Sequence, residues 1–291
     1  EINSRNALKH SLEAMLELLD SQQLSNAAKL WLYHHFITTR LSWPLLILDL
    51  SLSFAKDLQA LALRSLKRWA GLPRCANPAV LFVGGQGRAG LRVRHLVTYW
   101  KQQQHVKLSL LRGSPDPRCR QVYELTCARQ QKWLRKFAPG VEAQCAGASV
   151  ASSLTSSAWD HFVKNPLGPP PPPPHPKALR KLASCHLKEI DVAEQLQKLR
   201  TLQLQGRWLE WTAQMHMDMS WHRLIHNWSD CELRFALQGM TDTAPTNVNL
   251  RRWGNPCVDA ACALCGRTAA LCHVLNACTL ALHQGALHTG A

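Results

Sequence analysis

Apolar residues recur at three- and four-residue intervals in three stretches near the start of the chain, and that spacing predicts helices that each bury one face. The first, residues 4 to 19, sets Leu8, Leu12, Met15, Leu16 and Leu19 on one stripe. The second begins after Ser25 or Asn26, either of which can cap it, and carries Ala28, Trp31, Leu32 and Phe36. Pro44 limits it, because proline lacks an amide donor and clashes with the preceding turn. The third starts near Ser51 or Ser53, runs through Phe54, Leu58, Ala62, Leu66 and Trp69, and stops at Gly71-Leu72-Pro73. Glycine just past a last turn with proline soon after is a standard helix terminus. Residues 1–73 therefore read as a small helical bundle.

Ala79 to Val83 is a strand candidate, followed by glycines 84, 85, 87 and 90. Gly85, Gly87 and Gly90 satisfy the glycine spacing of a dinucleotide-binding turn, but that site also needs an acidic residue about 20 positions on, and residues 105 to 115 have none. A glycine-rich turn is the better reading. Residues 91 to 136 look mostly helical, with an interruption at Gly113 to Pro117, and Tyr99, Trp100, Tyr123 and Trp133 lie among many cations. From Ala138 the chain becomes rich in Ala, Ser and Gly and then runs through Pro169 to Pro174, a semi-rigid or disordered insert that cannot bury a core. Leu179 to Gln205 is helical in pattern again. Trp208, Trp211, Trp221 and Trp228 with Met215, Met217 and Met219 then supply a second core, and His222 and His226 share a helical face there.

Composition adds a partner to this outline. Over 291 residues, 34 Lys and Arg against 19 Asp and Glu leave a formal charge of +15, which points first to nucleic acid and second to an anionic membrane. Residues 86 to 136 hold ten more basic than acidic side chains, so two thirds of the excess sits there. The longest apolar run, Leu41 to Leu50, contains Pro44 and Asp49 and is about half a membrane span. No signal-peptide pattern precedes the first helix, so the 11 cysteines suggest thiols in a reducing nuclear or cytoplasmic compartment. The opening on Glu1 without Met and the close on Gly290-Ala291 suggest a piece of something longer.

The most specific chemistry lies near the C-terminus. Cys262 and Cys265 form a Cys-x-x-Cys pair, followed by His273 and Cys278, a ligand set and spacing suited to a structural zinc ion. Cys257 and Cys272 lie close by, and Cys272 could take the place of His273 in another register. Four protein ligands make a closed site that builds structure and leaves no position for activating water. No two Asp residues are adjacent, there is no G-x-S-x-G elbow and no H-E-x-x-H helix, and Lys188-Glu189-Ile190-Asp191 reads as a solvated helical face. No constellation here would perform catalysis alone, and no catalytic residue is assigned.

Several strings together resemble a known family. They are Trp31-Leu-Tyr-His-His-Phe-Ile37 with Leu41-Ser-Trp-Pro44, Leu66-Lys-Arg-Trp-Ala-Gly-Leu72, Asn249-Leu-Arg-Arg-Trp-Gly254, Cys262-Ala-Leu-Cys-Gly266 and His273-Val-Leu-Asn-Ala-Cys278. Their order is similar to the C-terminal part of reverse transcriptases from non-long-terminal-repeat retrotransposons, in the branch that places a zinc knuckle before a restriction-like endonuclease. The resemblance implies a mainly α chain in five parts: the end of the polymerase with a helical thumb-like bundle (1–73), a basic helical linker (74–137), a disordered Ala/Ser/Pro-rich insert foreign to the family (138–178), a helical Trp/Met-rich region (179–254), and a CCHC zinc knuckle with a truncated tail (255–291). It implies a structural Zn2+ on Cys262, Cys265, His273 and Cys278, and Mg2+ only in a polymerase palm outside this chain. Template RNA or target DNA would be the partner, with Lys67 and Arg68 on or near the thumb, and Arg88, Arg92, Arg94, Lys101, Lys107 and Arg112 in the basic linker. The family's Gly, Arg, Tyr and Trp-Arg-His-Asp residues after the knuckle are missing here, where Gln284-Gly285 leads to the last residues, so the endonuclease is not expected. An alternative from another class is a zinc-stabilised interaction module whose proline run docks on SH3- or WW-type domains.

Overall fold

A computed structural model describes residues 2–84, 90–112, 114–126, 176–202, 205–206, 208 and 219–280. Among these the chain is mainly α-helical, and the sole bridge of β type is an antiparallel pair between Ala261 and Thr268. Most of the glycine-rich turn, most of the proline-rich insert and the stretch from Trp211 to Asp218 lie outside the described residues.

Helix α1 is Ile2–Ser21, and a helical run follows as α2 (Asn26–Leu32), a wider π turn (Tyr33–Ile37), α3 (Thr38–Arg40) and α4 (Ser42–Ile47). Ser25 is the cap of α2, its hydroxyl accepting from the Ala28 amide at 3.3 Å. Pro44 does not end the run as its chemistry suggests. The run only turns at Leu41, which stays in the right-handed helical region and keeps its amide on the Ile37 carbonyl at 3.2 Å, and Pro44 falls in the first turn of α4, where a missing amide costs least. Helix α5 (Leu52–Trp69) starts with the Ser51 hydroxyl accepting from the Phe54 amide at 3.2 Å. It ends as its sequence predicts: Gly71 takes φ +64°, its amide bonds the Arg68 carbonyl at 3.0 Å, and the Leu72 amide bonds the Lys67 carbonyl at 2.8 Å. This paired closure requires a left-handed residue, which glycine adopts without a Cβ penalty.

Ala79 to Val83 is not a strand. Ala79–Phe82 is a short helix, α6, with all four side chains buried. Four apolar residues in a row fit either structure, and here the preceding turn decides. The Asn77 side chain accepts from the Ala79 amide at 2.9 Å, and the Pro78 carbonyl accepts from Leu81. Beyond it come α7 (Leu96–Arg112), a helical segment at 117–126, α8 (Pro176–Arg200), α9 (Trp221–His226), α10 (Asp230–Met240) and α11 (Asn247–Arg252).

Two compact units gather these elements, each from three segments. The first comprises Glu1–Met15, His34–Leu61 and Arg94–Glu194. Its core includes Leu12, Leu41, Leu45, Leu58 and Trp100. Polar ties also reach inside it: the buried Gln104 amide donates to the Leu45 carbonyl at 2.7 Å, and the Leu96 amide, at the start of α7, donates to the Gln59 side chain at 2.6 Å. Lys101 and Asp191 form a buried ion pair at 2.6 Å. Asp191 was expected on a solvated face, but the position is buried because the charge opposite it arrives from 90 residues away.

The second unit comprises Leu16–Tyr33, Ala62–Val93 and Gln195–Ala291. Trp69, Trp208, Leu30, Leu66 and Leu81 are fully buried in it. The Trp69 indole donates to Asp20 at 2.5 Å, the Gln238 amide donates to the Gly71 carbonyl at 2.6 Å, and Asp230 accepts from the Asn26 amide at 2.8 Å. Trp208 confirms one member of the expected Trp cluster as core, whereas Trp221 and Trp228 are half-buried.

Candidate metal centre

The candidate metal centre follows the end of α11. The Thr246 hydroxyl caps that helix on the Asn249 amide, and Gly254, at φ +90°, closes it with the same paired bonds seen after α5: Gly254 to Arg251 at 3.0 Å and Asn255 to Leu250 at 3.1 Å. A tight hairpin follows. Ala269 donates to Ala260 at 2.8 Å, Cys262 to Arg267 at 2.5 Å and Gly266 to Cys262 at 2.8 Å, with Gly266 at φ +71°. This turn folds Cys262 and Cys265 back toward one another. The second pair comes from the π turn His273–Ala277, entered with the Val274 amide on the Ala270 carbonyl at 3.0 Å and followed directly by Cys278.

The ligand atoms of Cys262, Cys265, His273 and Cys278 all lie within 4.8 Å of one another, and theirs is the only such group of three or more among the described residues. The Cys262 and Cys278 sulfurs are 3.8 Å apart, which matches the edge of about 3.8 Å that two Zn–S bonds of about 2.3 Å make at a tetrahedral angle. Cys265 Sγ is 3.1 Å from His273 Nε2, so that edge would open by about half an ångström around an ion of the same geometry. The donor set and its spacing fit a structural zinc ion. His273 and Cys278 are buried while Cys262 and Cys265 are half-buried, so the ion would sit at the edge of the unit with its inner side shielded.

The hairpin favours the thiolate at Cys262 and opposes it at Cys265. Amides of Cys265 and Leu264, together with the His273 ring, hold the Cys262 thiol down at about 6. The Arg267 amide acts in the same sense on Cys265, but burial and the sulfurs of Cys262 and Cys278 outweigh it and push that thiol up. Two sulfurs this close do not both ionise readily without a cation between them. The two spare thiols are now placed: Cys257 and Cys272 are exposed and outside the group, so His273 is the fourth member of the cluster. His222 and His226 share a face as expected, with ring centroids 4.9 Å apart, but no third ligand joins them among the described residues.

The basic side chains expected at a nucleic-acid surface are dispersed in role. Lys101 is buried against Asp191 and is a core group rather than a surface cation. Lys67 ties down the turn after α5 by donating to the carbonyls of Arg74 at 2.8 Å and Ala76 at 2.7 Å, and burial lowers its pKa. Arg68 is exposed and paired with Asp20. Arg94 donates to the Thr38 hydroxyl at 3.0 Å and stacks on Tyr99, its guanidinium 4.6 Å from the ring centroid. Lys107 donates to the Ile47 carbonyl at 3.3 Å. Arg92 is exposed, at φ +50°. Arg88 and the Arg112 side chain lie outside the described residues. Sequence reasoning placed Phe36 on the apolar stripe of its helix and gave Trp43 no role; both are exposed, as are Arg251 and Trp253 beside the Cys262–Cys265 hairpin.

No known protein-family model and no curated protein matches the chain. None of its helices is long and apolar enough to cross a membrane among the described residues.

Proposed function

We propose that the chain is a zinc-stabilised nucleic-acid-binding segment that corresponds to the C-terminal part of a non-long-terminal-repeat retrotransposon reverse transcriptase. In this reading it positions template RNA or target DNA for chemistry carried out by catalytic groups other than its own. The observation that carries the proposal is the convergence of Cys262, Cys265, His273 and Cys278 on one point, directly after the exposed Arg251, Arg252 and Trp253. Those residues belong to the same ordered strings that resemble the family. The formal charge of +15 supports a polyanionic partner in the same sense.

Phosphate contacts release counterions, so affinity should fall steeply with salt: six contacts would cost about a thousandfold between 50 and 200 mM. Fluorescence anisotropy with labelled RNA and DNA oligonucleotides across that range is the test. A flat response, or no binding to either, would refute the proposal. Capture of SH3- or WW-type domains without nucleic-acid binding would transfer the function to the proline run.

A further inference from the structure

The helical run from Tyr33 to Ile47 leaves one face of the first unit uncovered. Phe36, Arg40, Trp43 and Ile47 follow at intervals of four, three and four residues, which sets them on one stripe. Their neighbours Ile37, Leu41 and Leu45 are buried, so the core is built without the stripe. Trp43 is 67% exposed, Ile47 50% and Phe36 49%. Large apolar groups left in water at this spacing mark a surface that something else covers.

The charges around the stripe say what. The Arg40 guanidinium lies 4.6 Å from the centroid of the Phe36 ring, inside the stripe rather than opposite it. Lys107 Nζ stands 3.3 Å from the Ile47 carbonyl at the other end, with further donors to spare. No carboxylate occurs in the sequence between Asp20 and Asp49. Aromatic faces interleaved with cations suit single-stranded nucleic acid, whose bases stack while its phosphates meet the cations. At a helical rise of about 1.5 Å per residue, the seven steps from Phe36 to Trp43 span about 10 Å, the length of about three stacked nucleotides. A membrane-surface helix would instead segregate its cations from its apolar face. A second copy of the chain would bring the same cations to the interface.

We propose that Phe36, Arg40 and Trp43, with Lys107 at the margin, form a stacking platform for a single strand of RNA or DNA. The proposal rests on the nucleic-acid reading above and adds to it a strand class and a surface outside the metal centre. The test uses the full chain, zinc-loaded, with a 12-nucleotide single strand and a duplex of the same sequence. Trp43→Ala should weaken single-strand binding about 5- to 150-fold and leave duplex binding within about twofold. Trp43→Phe should restore most of it, and Arg40→Ala should lower the salt slope by about one. Zinc content and circular dichroism report whether each variant folds. Unchanged single-strand binding in Trp43→Ala, with the parent chain still binding, overturns the platform and leaves the functional reading standing. Failure of the parent chain to bind any nucleic acid overturns both. Loss of binding to vesicles containing anionic phospholipid, or loss of self-association, in a Trp43→Ala chain that binds single strands normally would assign the stripe to that partner and overturn the proposal.

Discussion

Asp191→Asn should be among the most damaging single substitutions in the first unit. It removes the anion that faces Lys101 at 2.6 Å, an ammonium only 7% exposed. Breaking one side of a buried pair costs about 3–5 kcal/mol, because the remaining charge keeps its desolvation penalty. With a urea dependence of about 2–3 kcal/mol per molar, the midpoint should fall by about 1–2.5 M. Urea titration of the zinc-saturated protein, followed by circular dichroism, reads this directly. The double variant Lys101→Met/Asp191→Leu removes both charges and should recover most of the loss, since a packed apolar pair is often neutral or better. It should also bind nucleic acid as the parent does, because Lys101 does not reach the surface. An unchanged midpoint in Asp191→Asn would refute the buried-pair argument, and reduced nucleic-acid affinity in the double variant would return Lys101 to the binding surface.

His95 provides a pH signature. Burial is the main cause that brings its pKa down to about 4, with Lys101 acting in the same sense and Asp191 opposing it, and its Nδ1 accepts from the Thr98 amide at 3.4 Å as a helix cap. The unfolded chain takes up that proton near pH 6.5, so stability should decline as pH falls from 6.5 toward 4, by about 3 kcal/mol in full. His95→Asn keeps a cap acceptor without titrating, and the difference between its pH profile and the parent's isolates this term from metal loss. A constant difference across the window would contradict it. Gly266→Ala meets no atom within 4 Å but must hold φ +71°. A strain of about 1 kcal/mol predicts roughly fivefold weaker zinc affinity in a chelator competition, and unchanged affinity would remove the conformational argument.

The helices and the Cys/His cluster were legible for the same reason: their determinants are local. Leu8, Leu12, Leu16 and Leu19 fix a buried stripe by spacing, Ser25 and Ser51 mark starts, and Gly71 marks a stop, all within a turn or two of the element they define. Cys262, Cys265, His273 and Cys278 lie within one short segment, so their spacing carried the site, although only the fold could separate His273 from Cys272. What failed depended on partners far along the chain. Lys101 and Asp191 read as surface charges because nothing near either predicts the other. Phe36 read as a helix-core residue because spacing reports a shared face without saying which face is covered. Ala79 to Val83 was ambiguous at its length, and Asn77 and Pro78 resolved it through a turn that propensity alone does not weigh. Pro44 misled because its effect depends on where a helix restarts.

The central claim is that one metal ion organises the C-terminal hairpin and the π turn. Zinc content per chain, measured by atomic emission alongside native mass spectrometry, tests it most directly in the parent, Cys265→Ser and Cys272→Ser. One zinc in the parent and in Cys272→Ser, with loss of the metal and of C-terminal structure in Cys265→Ser, is the predicted result. A parent chain without zinc after exposure to the metal, or a Cys265→Ser chain that keeps it, would contradict the ligand set of Cys262, Cys265, His273 and Cys278.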